Sequence, residues 1–356
     1  MPTRPCNLVA SPSATENSRE IHRLKRQYDC HLRRAKGLNE KTVEHCLNAI
    51  DKFARFLGET PLKKFCPNIA MDYVDYAIDF QNPRSGKKRQ VTTVVAELNR
   101  LKIFLIWLHS QPGYKSRIRH HDIEYLSVNR KDLRAAKGQK QKSCPSVPEC
   151  LRVFQRMPRE TEVEMRDRAL FALLMLTGAR IDAAVTLQVR HINLDGGYIL
   201  QCGAESRTKG SKTFLAGYFN IDKIYRKELR AWIKYLIKEK HFSDTSPLFP
   251  KPQRPNDIKP GRWTGLTQDF YKGPGQPSRM VSDAFFASIG TRSGPHSVRR
   301  TLTKWAAELC RNEAEFKAAS LNLGHSDVRT TKDSYLHLSD DDQIRLVRCI
   351  GKKRRQ

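Results

Sequence analysis

Two segments in the first third of the chain place apolar residues at the spacing of a single helix face. The segment EKTVEHCLNAIDKFARFLGE follows Asn39, a favoured N-cap residue type, and repeats apolar residues at three- and four-residue intervals. The segment VVAELNRLKIFLIWLHS does the same and ends before Pro112 and Gly113. Shorter helices are predicted to begin near Arg19 and Pro67. The patterns together predict an all-helical bundle over residues 19–135.

The second part of the chain mixes helical patterns with two short β-prone segments. PECLRVFQRMP and EMRDRALFALLMLTGAR predict helices, and GGYILQCG and KTFLAGYF predict strands joined by an exposed turn. Further helices are predicted over residues 222–240, 277–290, 296–311, 313–322 and 340–350. The Pro- and Gly-rich residues 243–277 predict an irregular, mobile insertion.

These patterns predict a mainly α fold with a small β-hairpin or sheet, of the α+β class. The stretch AAKGQKQKSCPSVP lacks periodicity and is rich in Lys and Gln, as expected of a solvated linker. The predicted organisation is a flexible N-terminus (1–18), a helical domain (19–135), a basic linker (136–147) and a second domain with a C-terminal helix and basic tail (148–356).

Composition agrees with two folded domains. A chain of 356 residues exceeds the size, ~250 to 300 residues, at which single cores usually stop growing. The sequence has no apolar run of membrane-spanning length, and its first twenty residues lack the apolar stretch of a secretory signal, which predicts a cytoplasmic protein. Nine scattered cysteines predict reduced thiols, and Cys144 and Cys150 are too weak a pair to indicate a metal site.

The charge balance points to a polyanionic partner. Lys and Arg number 65 against 37 Asp and Glu, for a formal net charge of +28. Because the basic residues are spread along the whole chain and are not gathered on one amphipathic helix, nucleic acid is favoured over a membrane surface. The alternative is a merely soluble basic protein, although solubility needs a net charge of only ~2 to 8 on a small domain.

Four short segments carry the candidate chemistry: TGARIDAAVTL, RTKGSK, PHSVRR and LGHSDVRTTKDSYLHL. Each alone is a weak signal, but their order is informative. The segments supply Arg180, Lys209, His296, Arg299, His325 and Tyr335. From about Pro148 to Leu338 this arrangement resembles the catalytic domain of the tyrosine recombinase (phage integrase) family. The preceding bundle is similar, by pattern only, to that family's core-binding domain.

Elementary chemistry agrees with the resemblance. Pro295 is well placed to begin a helix on which His296 and Arg299 share the first turn and one face. A phosphodiester under attack gains negative charge on its non-bridging oxygens. The guanidinium groups of Arg180 and Arg299 are suited to bind these oxygens through paired, charge-assisted hydrogen bonds. A tyrosine hydroxyl has an unperturbed pKa near ~10, so it needs a base or a strongly positive site to lose its proton.

The resemblance implies roles for the remaining residues. Tyr335 is the nucleophile, His325 hydrogen-bonds the phosphate, and Lys209 protonates the leaving 5′ oxygen, with Lys212 as the fallback. It also implies site-specific recombination of duplex DNA through a 3′-phosphotyrosyl intermediate, by four protomers on two sites, without a cofactor, ATP or divalent metal. Accessory DNA-bending or mobile-element proteins are candidate further partners. The candidate DNA-binding residues are Lys87, Lys88, Arg89, Lys137, Lys140, Lys142 and Lys212.

Two departures from the family pattern keep alternatives open. Ala183 occupies the position where the family usually has Glu, with Asp182 one position earlier. The interval from His325 to Tyr335 is one residue longer than the commonest form. The alternatives are a DNA-binding relative that has lost activity, a single-site topoisomerase-like or telomere-resolving enzyme and, more distantly, a metal-dependent transposase.

Overall fold

The computed structural model describes residues 16–83, 86–129, 131, 133, 144–208, 210–253 and 265–324. The chain divides into two compact units, Met1–Lys142 and Ser143–Gln356. Among the helices within the described ranges, none is long and apolar enough to cross a membrane.

The first unit is helical, with elements that follow the apolar patterns. Its α-helices are α1 (Glu16–Cys30), α2 (Glu40–Leu57), α3 (Pro67–Asp79), α4 (Val91–His109) and α5 (His120–Glu124). A π-helical turn (His31–Ala35) extends α1, and a 3₁₀ turn (Leu62–Lys64) precedes α3. The predicted helices are confirmed, although α1 begins three residues before Arg19.

Local sequence explains where these helices begin, and packing explains which face is buried. The Asn39 side chain accepts a hydrogen bond from the Thr42 amide at 2.9 Å, which caps α2 as predicted. α4 packs against α2, α3 and α5. The buried aromatic and aliphatic residues form one core, with Tyr28, Phe53, Tyr73, Leu101 and Phe104 at most 1% exposed.

The second unit surrounds a small sheet and one central helix. Its helices are α6 (Val147–Arg156), α7 (Glu162–Thr177), α8 (Ile181–Ala184), α9 (Lys223–Lys238), α10 (Gly275–Ile289), α11 (Pro295–Leu309) and α12 (Glu313–Asn322), with a 3₁₀ turn at Val189–His191. Its strands are β1 (Ile192–Asn193), β2 (Tyr198–Gln201) and β3 (Phe214–Gly217). The two predicted strands are confirmed, and β1 is an addition. The predicted helix over residues 340–350 lies outside the described residues.

The sheet is antiparallel in the order β1-β2-β3, and Ile199 of β2 lies opposite Ile192 and Ala216. Helix α7 is the centre of the core, since every residue from Ala169 to Thr177 is buried. α9, α11 and α6 pack around it. Because the second half of α7 is covered on all sides, its sequence from Ala169 to Leu176 is apolar all round.

The prediction of a mobile insertion over residues 243–277 is wrong for its described beginning. Leu248 and Phe249 are fully buried in the core. The Leu248 amide donates to the Leu187 carbonyl at 2.8 Å, and the Trp232 indole donates to the Leu248 carbonyl at 2.9 Å. This segment is therefore an integral part of the core, fixed by partners distant in sequence.

Candidate active site

The turn after α7 positions Arg180. Gly178 ends the helix with a left-handed backbone (φ 63°), and Arg180 is the half-buried N-cap residue of α8. The Thr177 hydroxyl accepts a hydrogen bond from the Ala179 amide at 3.1 Å and donates to the Leu173 carbonyl at 2.8 Å. These bonds define the path of the chain from the buried helix to Arg180.

Arg299 connects that turn to the end of α12. Pro295 begins α11 as predicted, which puts exposed His296 in its first turn and Arg299 three residues later. The Arg299 side chain is buried, and its Nη1 donates to the Gly178 carbonyl at 2.7 Å while its Nη2 donates to the Leu323 carbonyl. A buried guanidinium needs such acceptors, because leaving its N–H groups unsatisfied is costly.

Close packing supports the same junction. A Cβ atom on Gly178 would lie 2.5 Å from Leu323 Cδ2, closer than carbon atoms approach. An added Cβ would therefore force the Leu323 side chain to move, and the left-handed backbone also favours glycine at this position. The turn before Arg180 and the residue two before His325 are therefore in direct contact.

The β-hairpin reaches the junction through Asn322. Its side-chain amide donates to the Gly217 carbonyl at 3.0 Å, and its side-chain carbonyl accepts from the Gly217 amide at 2.6 Å. A Cβ on Gly324 would lie 2.6 Å from Phe214 Cζ, so β3 also packs against the residue before His325. Asn322 was not predicted from the sequence, where its side-chain type, which mimics a backbone peptide, is the only local signal.

The turn between β2 and β3 is anchored to α8 by Arg207. Its guanidinium donates to the carbonyls of Tyr271 and Lys272 at 2.9 and 2.7 Å, and its Nε lies 2.9 Å from Asp182 Oδ1. Ala183, in the family's glutamate position, is buried instead. The carboxylate one position earlier thus holds the hairpin, a role that the sequence analysis did not assign to Asp182 or Arg207.

A buried histidine holds the other side of this turn. The Gln188 amide donates to His191 Nδ1 at 3.1 Å, and His191 Nε2 lies 2.6 Å from Glu205 Oε2. The hydrogen bond from His191, together with nearby Arg190, lowers the pKa of the Glu205 carboxyl. His191 is a structural anchor of the turn that leads to Lys209.

The predicted catalytic residues fall into two groups. Arg180, His296 and Arg299 lie on the described elements, and Arg299 connects the segments that precede Arg180 and His325. Lys209, His325 and Tyr335 lie outside the described residues. No group of three or more His, Cys, Asp or Glu residues suited to a metal ion occurs in the described part of the chain.

The predicted DNA-binding residues are dispersed. Lys212 is exposed in the hairpin turn, and Lys87 and Lys88 are exposed between α3 and α4, where Lys88 pairs with Asp79 at 2.8 Å. Arg89 instead binds the buried Glu97 carboxylate through both terminal nitrogens. The linker residues Lys137, Lys140 and Lys142 lie outside the described residues.

Four other tyrosines of the second unit are poorly suited to nucleophilic attack. Burial raises the pKa of Tyr218 and Tyr225, and it raises the pKa of Tyr271 to about 12. Burial and the hydrogen bond to Glu162 raise the pKa of Tyr235 to about 12. Each of these hydroxyls holds its proton more firmly than an exposed phenol does.

The sequence of the second unit matches a known protein family. The profile of the phage integrase family matches residues 149–342. Tyrosine recombinase XerD of Pseudomonas aeruginosa is 26% identical over 178 residues, which cover 49% of this chain and 50% of that protein. The chain thus spans about half the length of the curated relatives that it matches.

Two solved structures share the fold. A lambda integrase dimer bound to a COC′ core site has a TM-score of 0.60 at 16% identity, over 90% of this chain and 97% of that one. A lambda integrase tetramer bound to a Holliday junction has a TM-score of 0.57 at 17% identity, over 90% of this chain and 79% of that one. Both likenesses support a mainly helical fold with a small antiparallel sheet.

Proposed function

The chain belongs to the phage integrase family, and on that premise we propose that it is a site-specific DNA recombinase that breaks and rejoins duplex DNA through a 3′-phosphotyrosyl intermediate. One observation carries the proposal beyond family membership. The buried Arg299 guanidinium binds the carbonyls of Gly178 and Leu323, so three of the four motif segments meet at one side chain.

The reaction assigns each residue a place. The Tyr335 hydroxyl oxygen attacks the phosphorus, the bond from phosphorus to the 5′ oxygen breaks, and the phenolic proton passes to a base, for which His296 is the candidate. Arg180 and Arg299 stabilise the charge that develops on the non-bridging oxygens. In the reverse step a 5′ hydroxyl attacks the phosphotyrosine and restores the phosphodiester.

Two further residues complete the mechanism. Lys209, two residues after Arg207 in the sequence, donates the proton that the leaving 5′ oxygen needs. His325, one residue after Gly324, donates a hydrogen bond to the phosphate. Duplex DNA is the substrate and partner. The lambda integrase tetramer on a Holliday junction supports assembly of four protomers during strand exchange.

The environment of the other tyrosines supports Tyr335 as the nucleophile. Tyr218, Tyr225, Tyr235 and Tyr271 are held by the fold with raised pKa values, which opposes the loss of a proton that attack requires. Tyr335 follows the segment that packs against Gly178 and Phe214, close in sequence to the Arg299 junction.

The test is a covalent trap. Nicked duplexes built from the DNA that flanks the gene lose a short fragment after cleavage, so the wild-type protein should accumulate an adduct through a 3′ phosphate. Tyr335→Phe should bind the duplex and give no adduct. Tyr225→Phe is the matched control, because the buried Tyr225 hydroxyl has no hydrogen-bond partner among the described residues.

Three outcomes contradict parts of the proposal. A wild-type protein that binds these duplexes without any adduct is a binding-only relative. An adduct mapped to another tyrosine removes Tyr335 from its role. Relaxation of a single-site plasmid without recombination of a two-site plasmid indicates a topoisomerase.

A further inference from the structure

Helix α9 presents a continuous basic surface. Its six basic residues fall within an arc of about 120° when 3.6 residues make a turn. All six are exposed, and they form the surface that we call the α9 basic face: Lys223, Arg226, Lys227, Arg230, Lys234 and Lys238. Within this fully described helix the one acidic residue, Glu228, lies outside the arc, where it pairs with Arg168 at 3.1 Å.

The opposite side of α9 fixes the orientation of this surface. Its buried residues pack with α7 into the core: Tyr225, Leu229, Trp232, Ile233 and Leu236. The Trp232 indole is also hydrogen-bonded to the Leu248 carbonyl at 2.9 Å. Rotation of the helix would expose this apolar side, so the basic face is held outward by the core itself.

The α9 basic face lies beside one end of the sheet, and the turn between β2 and β3 lies at the opposite end. Arg230 pairs at 3.3 Å with Asp195, in the turn between β1 and β2, and Arg226 lies 5.7 Å from the ring centre of Tyr218, just after β3. The turn between β2 and β3 is at the other end of these strands. Each strand has four residues, and the three steps of about 3.3 Å between them separate the two ends by roughly 10 Å.

We propose that the α9 basic face binds the phosphate backbone of duplex DNA outside the cleavage site, without reading base sequence. At 1.5 Å per residue, Lys223 and Lys238 are about 22 Å apart along the helix. Duplex DNA carries one charge per about 1.7 Å of its axis, so several phosphates come within reach of this length. Contacts of this kind position a duplex and carry no sequence information.

The proposal goes beyond the cleavage chemistry and does not depend on Tyr335. A merely solvated face would contribute to DNA binding no more than any other group of surface cations. The two cases differ in how strongly this particular set of residues affects the salt dependence of binding, because each phosphate contact releases counterions.

The test compares two quadruple variants of the full chain with equal change in net charge. The first is Lys227→Gln, Arg230→Gln, Lys234→Gln and Lys238→Gln. The matched control removes four exposed cations scattered over other elements: Arg152→Gln, Arg159→Gln, Lys304→Gln and Lys317→Gln. The dissociation constant of a random-sequence duplex is measured by fluorescence anisotropy over a series of KCl concentrations.

The first variant should lower the slope of log affinity against log salt by about 0.9 for each lost phosphate contact, or about 2 to 3.5 in all. The control should lower it by less than half as much. A third variant, Lys227→Arg, Lys234→Arg and Lys238→Arg, preserves the charges and should retain the wild-type slope. Equal slopes for the first variant and the control would overturn the proposal.

Two more measurements distinguish DNA binding by the α9 basic face from membrane binding and from the proposed recombinase activity. Sedimentation with phosphatidylcholine and phosphatidylserine vesicles tests an anionic membrane. Loss of vesicle binding with an unchanged DNA slope would overturn the assignment to DNA. The first variant should still form the covalent adduct on a saturating nicked substrate. Absence of that adduct from the wild-type protein would contradict the proposed recombinase activity. It would not affect the comparison of salt-dependence slopes.

Discussion

Arg89 in the first unit and Arg299 in the second are both held by hydrogen bonds, but their partners differ. Arg89 binds the carboxylate of Glu97, which also accepts from Tyr73 at 2.9 Å and Lys52 at 2.5 Å. The partners of Arg299 include two backbone carbonyls. The Glu97 carboxylate supplies a negative charge to its cluster, whereas a backbone carbonyl orients a guanidinium without supplying one. From the sequence, Arg299 is predicted to bind the reacting phosphate and Arg89 to bind DNA; in the structure Arg89 has a stabilising role in the bundle.

The strongest test of this contrast is removal of each arginine. Arg299→Ala should slow adduct formation by about 3 to 4 kcal/mol of transition-state stabilisation, on the order of 10²-fold or more, with a much smaller loss of duplex binding. Arg89→Ala should leave the rate in folded protein near the wild-type value. Single-turnover cleavage of a nicked duplex measures both. Equal rate losses would mean that the two arginines act alike.

Glu97 provides the next test, on stability. It is 4% exposed and accepts hydrogen bonds from three side chains, so Glu97→Gln should lower the free energy of unfolding of the first unit by about 2 to 3 kcal/mol. Urea denaturation followed by circular dichroism measures the change. A variant as stable as the wild type would show that the network adds nothing to the bundle, and Arg89 would then be available for another role.

A pair of glycines tests the Arg299 junction more finely. Gly178 and Gly290 both end helices with left-handed backbones (φ 63° and 72°), but only at Gly178 would an added Cβ meet other atoms within 4 Å. Both alanine variants should lose about 1 to 2 kcal/mol of stability from backbone strain. Gly178→Ala should in addition slow cleavage about tenfold, because Leu323 must move. Equal cleavage rates for the two variants would separate this packing from catalysis.

The smallest expected effect is a pH dependence. Burial alone would raise the pKa of Glu97, but hydrogen bonds from Arg89, Lys52 and Tyr73 outweigh it and hold the pKa below its ordinary value of 4.5. The unfolded chain therefore binds this proton first, so the contribution of Glu97 is complete above pH 4.5 and is lost as pH falls through the folded pKa. Thermal melting from pH 7 downward should show a steeper loss in the wild type than in Glu97→Gln. If the melting temperatures of the two proteins fall in parallel with pH, the charge of Glu97 does not contribute to stability.

Helices with one apolar face were predictable because the spacing of their apolar residues indicates both the helix and the side of it that is buried. This holds for α2, α4 and α9. Strand β1 escaped prediction because two residues are too few for a period to show. Leu248 and Phe249 stand in a Pro-rich context typical of loops. Their burial depends on Leu187 and Trp232, which are distant in sequence.

The sequence by itself determined the types and order of the candidate catalytic residues, since Arg180, Lys209, His296, Arg299, His325 and Tyr335 are recognisable as a spaced set. It also determined the arc of basic residues on α9, because that arc follows from the helical period alone. Only the tertiary structure decided that the Gly178 and Leu323 carbonyls meet at Arg299, that Asp182 holds Arg207, and that Arg89 belongs to Glu97. Helical period is a local property of neighbouring residues, whereas hydrogen-bond partners more than a hundred residues apart, as for Arg299 and Gly178, are chosen by the packing of the whole core.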